Sequence, residues 1–170
     1  MKEKREQGLF LLEFAIIAVA LFMLLFAVIE LSRIIWIWNT ADEATRRGAR
    51  VAAVCPEDHP YIKEVTMFAK PGSGGPSPIL RGLEASNIKV DYLGADGDND
   101  PRPDFDDIKY VRVWLEGYEV EPLIPFINTK FTLPPFETTI PSESLGLVPE
   151  PDKPGADPRF ECLLPSMPLP

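Results

Sequence analysis

Histidine occurs once in this 170-residue chain and cysteine twice, and the scarcity excludes much enzymology before any pattern is sought. His59 stands between Asp58 and Pro60, where a helix cap or turn is its expected use. No GxSxG, HExxH, phosphate-cradling glycine loop or Cys/His nucleophile pair occurs, so neither catalysis nor a cofactor is expected. Cys55 and Cys162 have no CxxC spacing and no histidine beside them, which argues against a metal. Positive charge is short as well. Net charge is -9, and residues 56–170 carry 10 Lys and Arg against 20 Asp and Glu, so nucleic acid is not an expected partner.

What the chain does have is a long apolar run. Leu9 to Ile29 carries one charge, Glu13, and is about the ~20 residues that a helix needs to cross a bilayer. The helical pattern continues past Glu30 and Arg33, with no proline before Pro56, so a helix from Leu9 to Val54 is expected and only its first part can lie in lipid. Glu30 and Arg33 stand three apart and can pair across one turn. Trp36 and Trp38 follow, where indole rings favour the membrane boundary. Lys2, Lys4 and Arg5 precede the run while Arg33, Arg46, Arg47 and Arg50 follow it, so charge alone does not orient the span.

A carboxylate inside a spanning segment costs about 2.5–3.5 kcal/mol at mid-membrane, less near an end. Glu13 is the fifth residue after Gly8. Cleavage after Gly8 would leave an ammonium on Leu9, which a neighbouring copy displaced along the helix axis could offer to Glu13. The alternative is an uncleaved anchor whose glutamate reaches for the headgroups.

The short charged leader MKEKREQG, the LLEFAI run, IELSR with Glu30 and Arg33, and RRGAR with Arg47, Gly48, Ala49 and Arg50 together resemble a TadE-like minor pseudopilin of tight-adherence (Flp, type IVb) pili. TTIPSESLG, Thr138 to Gly146, extends the resemblance toward the C-terminus. Leu9 stands where prepilins more often carry Phe. The resemblance implies a prepilin-type leader (1–8) removed by a prepilin peptidase, a transmembrane helix (9–35) with its N-terminus on the cytoplasmic face of a bacterial inner membrane, and a helical continuation outside the membrane (36–55). A small α+β periplasmic domain (56–140) and a proline-rich tail (141–170) follow. Implied partners are a TadF-like pseudopilin, the major pilin, the prepilin peptidase and the inner-membrane assembly platform.

Beyond Asn39 the small residues Ala41, Ala44, Gly48 and Ala52 form a strip where another backbone can approach, either the chain's own sheet or another subunit. A short helix is expected over Pro60 to Ala69, a loop over Lys70 to Pro78, a turn or brief helix near Ile79 to Ala85, and a strand over Asn87 to Leu93. Asp96, Asp98 and Asp100 alternate as in a calcium loop, but Pro101 replaces the glycine such a loop needs, so a solvated turn is the preferred reading. Ile108 to Val120 reads as the strongest strand. Val111, Val113 and Leu115 share one face with Lys109, while Ile108, Tyr110, Arg112, Trp114 and Glu116 share the other. Phe131 to Ile140, interrupted by Pro134 and Pro135, reads as an edge strand. Eight of the thirty residues from Pro141 onward are proline, so extended chain is expected there, held by a Cys55–Cys162 bridge or by Phe160 and Leu163 docking on the sheet. Two unpaired thiols are the other outcome for the cysteines.

The expected architecture is therefore α+β and pilin-like: one long N-terminal transmembrane helix continuing outside the membrane, with a small antiparallel sheet on its outer part. The expected role is structural, in pilus assembly. The alternatives are an uncleaved single-pass assembly factor, a periplasmic calcium-dependent module, and an adhesin.

Overall fold

The computed structural model describes residues 2–70, 72–99, 102–123, 130–148, 159–160 and 162, with side chains from Phe10 onward apart from Val148, Arg159 and Phe160. Asp100 and Leu163, and the side chains of Gly8's neighbour Leu9 and of Phe160, lie outside that description. The chain divides into two compact units, Met1–Trp38 with Glu121–Thr129, and Asn39–Val120 with Lys130–Pro170.

Helix α1 runs from Lys2 to Ala52. It starts earlier than expected, because Lys, Glu, Arg and Gln are strong helix formers and lengthening an existing helix needs no new nucleus. At its other end it stops two residues short of Val54, and the reason is a set of partners that the sequence did not announce. The Ala53 carbonyl accepts from the amides of Glu143 (3.1 Å) and Leu145 (3.2 Å), and the Ser144 hydroxyl donates to the Val54 carbonyl. These satisfy acceptors that the last turn of any helix leaves open.

In the second unit α2 (Pro60–Thr66) opens with His59 as its cap, Nδ1 accepting from the Tyr61 amide at 3.2 Å, and proline fits its first turn. The main sheet has the order β1-β2-β5 and is antiparallel throughout, with β1 at Ile88–Leu93, β2 at Tyr110–Leu115 and β5 at Glu137–Pro141. Register runs from Ile88 opposite Leu115 to Leu93 opposite Tyr110. Val111, Val113 and Leu115 are buried, as alternation from a covered face requires. Asp91 and Arg112, directly opposite across β1 and β2, pair at 2.9 Å on the other face. The single edge strand expected over Phe131 to Ile140 is split: Phe131–Thr132 and Glu137–Pro141 join different sheets, and Pro134 and Pro135 lie between them in neither strand.

The expected strand to Val120 is broken. Gly117 takes a φ of 64°, open to a residue without a Cβ, and the chain turns there before β3 (Glu119–Val120), which pairs with β4 (Phe131–Thr132). The tail adds a further two-residue ladder between β6 (Leu147–Val148) and β7 (Arg159–Phe160).

The core of this unit is built from the alanines of α1 and the inward residues of the sheet. Ala41, Ala44, Ala49 and Ala52 are fully buried, as are Leu80, Leu83, Ile88, Val111 and Val113. Tyr92 is 1% exposed, and its hydroxyl accepts from the Asp58 amide at 2.9 Å. Arg102 lies over its ring at 5.2 Å while pairing with Glu57 and Asp58. Burial pushes the phenol up to about 12, with the nearby carboxylates of Asp58 and Glu57 acting in the same direction. The unfolded phenol ionises near 10, so Tyr92's contribution to stability is whole below pH 10 and is lost as pH rises toward 12. That loss amounts to roughly 2–3 kcal/mol for a shift of this size. An alkaline titration followed by phenolate absorbance should show one tyrosine ionising near pH 12, and Tyr92→Phe should remove that step.

Candidate assembly surface

In the first unit α1 presents apolar side chains to the outside along its length. Phe10, Phe14, Ile17, Phe22, Met23, Phe26 and Ile29 are all more than half exposed. A water-soluble helix does not leave such a surface uncovered, and lipid or neighbouring helices are what it fits. Glu13 is exposed near the start of it, with Phe10, Ile16 and Ile17 on the same face at helical spacing. Gly8 and Leu9 lie within the continuous helix.

The run closes on a polar clasp. Glu30 is buried, and the Arg33 guanidinium donates to both its carboxylate oxygens, from Nη2 to Oε1 at 2.5 Å and from Nε to Oε2 at 3.3 Å. The expected pair therefore forms. The same two side chains also hold a distant segment: Arg33 Nη2 donates to the Glu121 carbonyl at 2.7 Å, and the Leu123 amide donates to Glu30 Oε1 at 3.4 Å. The sequence pointed to the pair by its spacing; nothing local pointed to residues 121–123.

In the second unit the segment Arg47, Gly48, Ala49, Arg50 splits by face. Gly48 and Ala49 are buried, while Arg47 and Arg50 are exposed. Arg47 pairs with Glu43 at 3.0 Å and lies over the Phe68 ring at 4.9 Å. A Cβ on Gly48 would stand 2.2 Å from Thr66 Oγ1 and 3.2 Å from Val113 Cγ1, so α1, α2 and β2 meet at this glycine. One turn earlier Thr45 and Thr138 share a hydrogen bond of 2.9 Å; Thr45 also donates to the Asp42 carbonyl, so Thr138 is the donor between them. The small-residue strip thus serves as a bed for the chain's own sheet.

Cys55, buried just past the end of α1, is bonded to Cys162, with a Cα–Cα distance of 4.4 Å. In the acidic turn Asp96 Oδ1 accepts from the Asp98 amide at 3.2 Å and Asp98 Oδ1 from the Asn99 amide at 2.8 Å. Both carboxylates thereby support the turn itself. Among the described residues no group of three or more His, Cys, Asp or Glu is placed to hold a metal ion.

Among the described residues one helix is long and apolar enough to cross a membrane, and with the antiparallel sheet it makes an α+β protein with a transmembrane-type helix. Its N-terminal part is TadE-like: residues 8–50 match the TadE-like protein family. The match covers 43 of the chain's 170 residues. No curated protein and no solved structure matches the chain.

Proposed function

We propose that the chain is a minor pseudopilin of a tight-adherence pilus, cleaved by a prepilin peptidase after Gly8 and assembled through its apolar helix. The observation that carries this is Glu13, exposed on an otherwise apolar helical face within the TadE-like segment and five residues after Gly8. A carboxylate in that position has no use for a simple tether. Paired with the Leu9 ammonium of a neighbouring copy, it cancels two charges that lipid tolerates badly. The orientation proposed is N-terminus in the cytoplasm and the sheet-bearing unit in the periplasm, and the Cys55–Cys162 bond supports it, since disulfides persist in oxidising compartments. A TadF-like pseudopilin, the major pilin and the inner-membrane platform are the proposed partners.

The continuity of α1 through Gly8 to Lys2 favours a second reading, in which the helix stays intact as the anchor of an assembly factor. Mass spectrometry of protein from piliated cells separates the two. A mature start at Leu9 is expected, and a start at Met1 or Lys2 rejects cleavage. Glu13→Ala leaves the new ammonium unpaired near the end of the span, at a cost below the ~2.5–3.5 kcal/mol of mid-membrane, so incorporation into pili is expected to fall about tenfold or more while processing survives. Unchanged piliation in that variant would count against charge pairing.

A further inference from the structure

We propose that Leu123 is a second, interfacial lipid contact, held on the membrane side of the tryptophan belt by the Glu30–Arg33 clasp. Three observations within the first unit converge on it. Leu123 is 65% exposed, so among the described residues most of its apolar side chain is uncovered. Its amide is nonetheless bonded to Glu30, and the Glu121 carbonyl to Arg33, while Pro122 between them has no amide to satisfy. A segment in water has no need of such partners. One lying where water is scarce must have its backbone polar groups paired.

The level at which this happens is the third observation. Glu30 directly follows Ile29, the last residue of the apolar run, and Trp36 and Trp38 come six and eight residues later. Both indoles are about half exposed. At ~1.5 Å per residue they stand some 9–12 Å further along α1. With tryptophan at the headgroup level, residue 30 and the Leu123 amide bonded to it lie toward the acyl chains. The two clasp charges neutralise each other, and the segment's own charge is on the exposed Glu121, two residues before Leu123. In sequence the chain continues Ile-Pro-Phe-Ile after Leu123, with no charge before Lys130.

The inference rests on α1 spanning a bilayer, and the test separates the two. The full chain carries a nitroxide at Leu123→Cys or, as the lipid standard, at Phe22→Cys, with the Cys55–Cys162 bond closed. It is placed in nanodiscs at one copy per disc, and collision with a water-soluble nickel chelate is measured against free label in buffer. Burial of a leucine-sized group corresponds to about a tenfold bias toward lipid, so the Leu123 label is expected to be about tenfold less accessible than free label. Glu30→Ala in the same background should return it toward the water value; where that variant does not fold, Glu30→Gln, which keeps an acceptor but loses the ion pair, should return it part of the way. A protected Phe22 label with a Leu123 label at the water value overturns the inference and leaves the span standing. Both labels at the water value overturn the span. Protection of Leu123 only in discs holding several copies shows that a second copy covers it, which also overturns a lipid contact.

Discussion

Gly48→Ala is expected to lower the melting temperature of the sheet-bearing unit by about 5–25 °C, although alanine is the better helix former by ~1 kcal/mol. The added methyl would stand 2.2 Å from Thr66 Oγ1. Thr66 cannot swing aside: it is fully buried, and its hydroxyl donates to the Ile62 carbonyl at 2.7 Å. Overpacking a core costs about 1–3 kcal/mol, and breaking a buried hydrogen bond adds about 1–3 more. Those terms outweigh the gain in propensity, leaving a net loss of about 1–5 kcal/mol. Gly48→Leu should prevent the unit from folding. Thermal melts by circular dichroism in detergent would show this, with exposed Arg50→Ala as a control within ~0.5 kcal/mol. Adding Thr66→Ala to Gly48→Ala should recover part of the loss, because the colliding oxygen is gone. A Gly48→Ala protein as stable as the parent would mean that α1 and α2 are not in contact at this residue.

Opening the Cys55–Cys162 bond should have an effect of similar or greater size. The cross-link closes a loop with a sequence separation of 107. Chain entropy assigns about 4.7 kcal/mol to a loop of roughly that length, and measured native bridges give about 2–5 kcal/mol. Cys55 is also buried against the end of α1, so the bond fixes the tail to the best-packed part of the unit. Cys55→Ala with Cys162→Ala, or reduction followed by thiol titration to confirm two free thiols, is expected to lower stability by that amount. Equal stability of the oxidised and reduced forms would show that the bridge constrains nothing in the unfolded chain.

These two effects differ in how far the sequence announced them. The small residues Ala41, Ala44, Gly48 and Ala52 stand at helical spacing and so mark a close approach, and the strand that meets them was visible as the alternation of Val111, Val113 and Leu115. What the pattern left open was the partner: the chain's own sheet, or another subunit. The contact of Gly48 with Thr66 and Val113 assigns the strip to the chain itself. The Glu30–Arg33 pair was likewise legible from spacing, because residues three apart on a helix must be neighbours. Its hold on Glu121 and Leu123 was not, since those residues come some ninety positions later and carry no pattern of their own.

Other features escaped for the same reason. Leu80 and Leu83 are fully buried but sit in an irregular stretch with no period to mark them, and Ser77 holds that turn by accepting from the Leu80 amide at 3.0 Å. The TTIPSESLG stretch stood out only by resemblance. In the fold its first half is the edge strand β5 and its second half caps α1 through the Glu143 and Leu145 amides. Gly117 hid a turn inside what read as one strand, because a single glycine in an extended run does not declare the sign of its φ.

By itself the sequence determined the apolar helix and the alternation of β1 and β2. Each of these follows from residue type and near-neighbour spacing, which the backbone geometry of helices and strands translates directly. Only the tertiary structure decided which surface the small-residue strip faces, what closes the end of α1 and what the Glu30–Arg33 pair holds. Those contacts join residues tens of positions apart, and their energies depend on the approach of whole elements that no local period records.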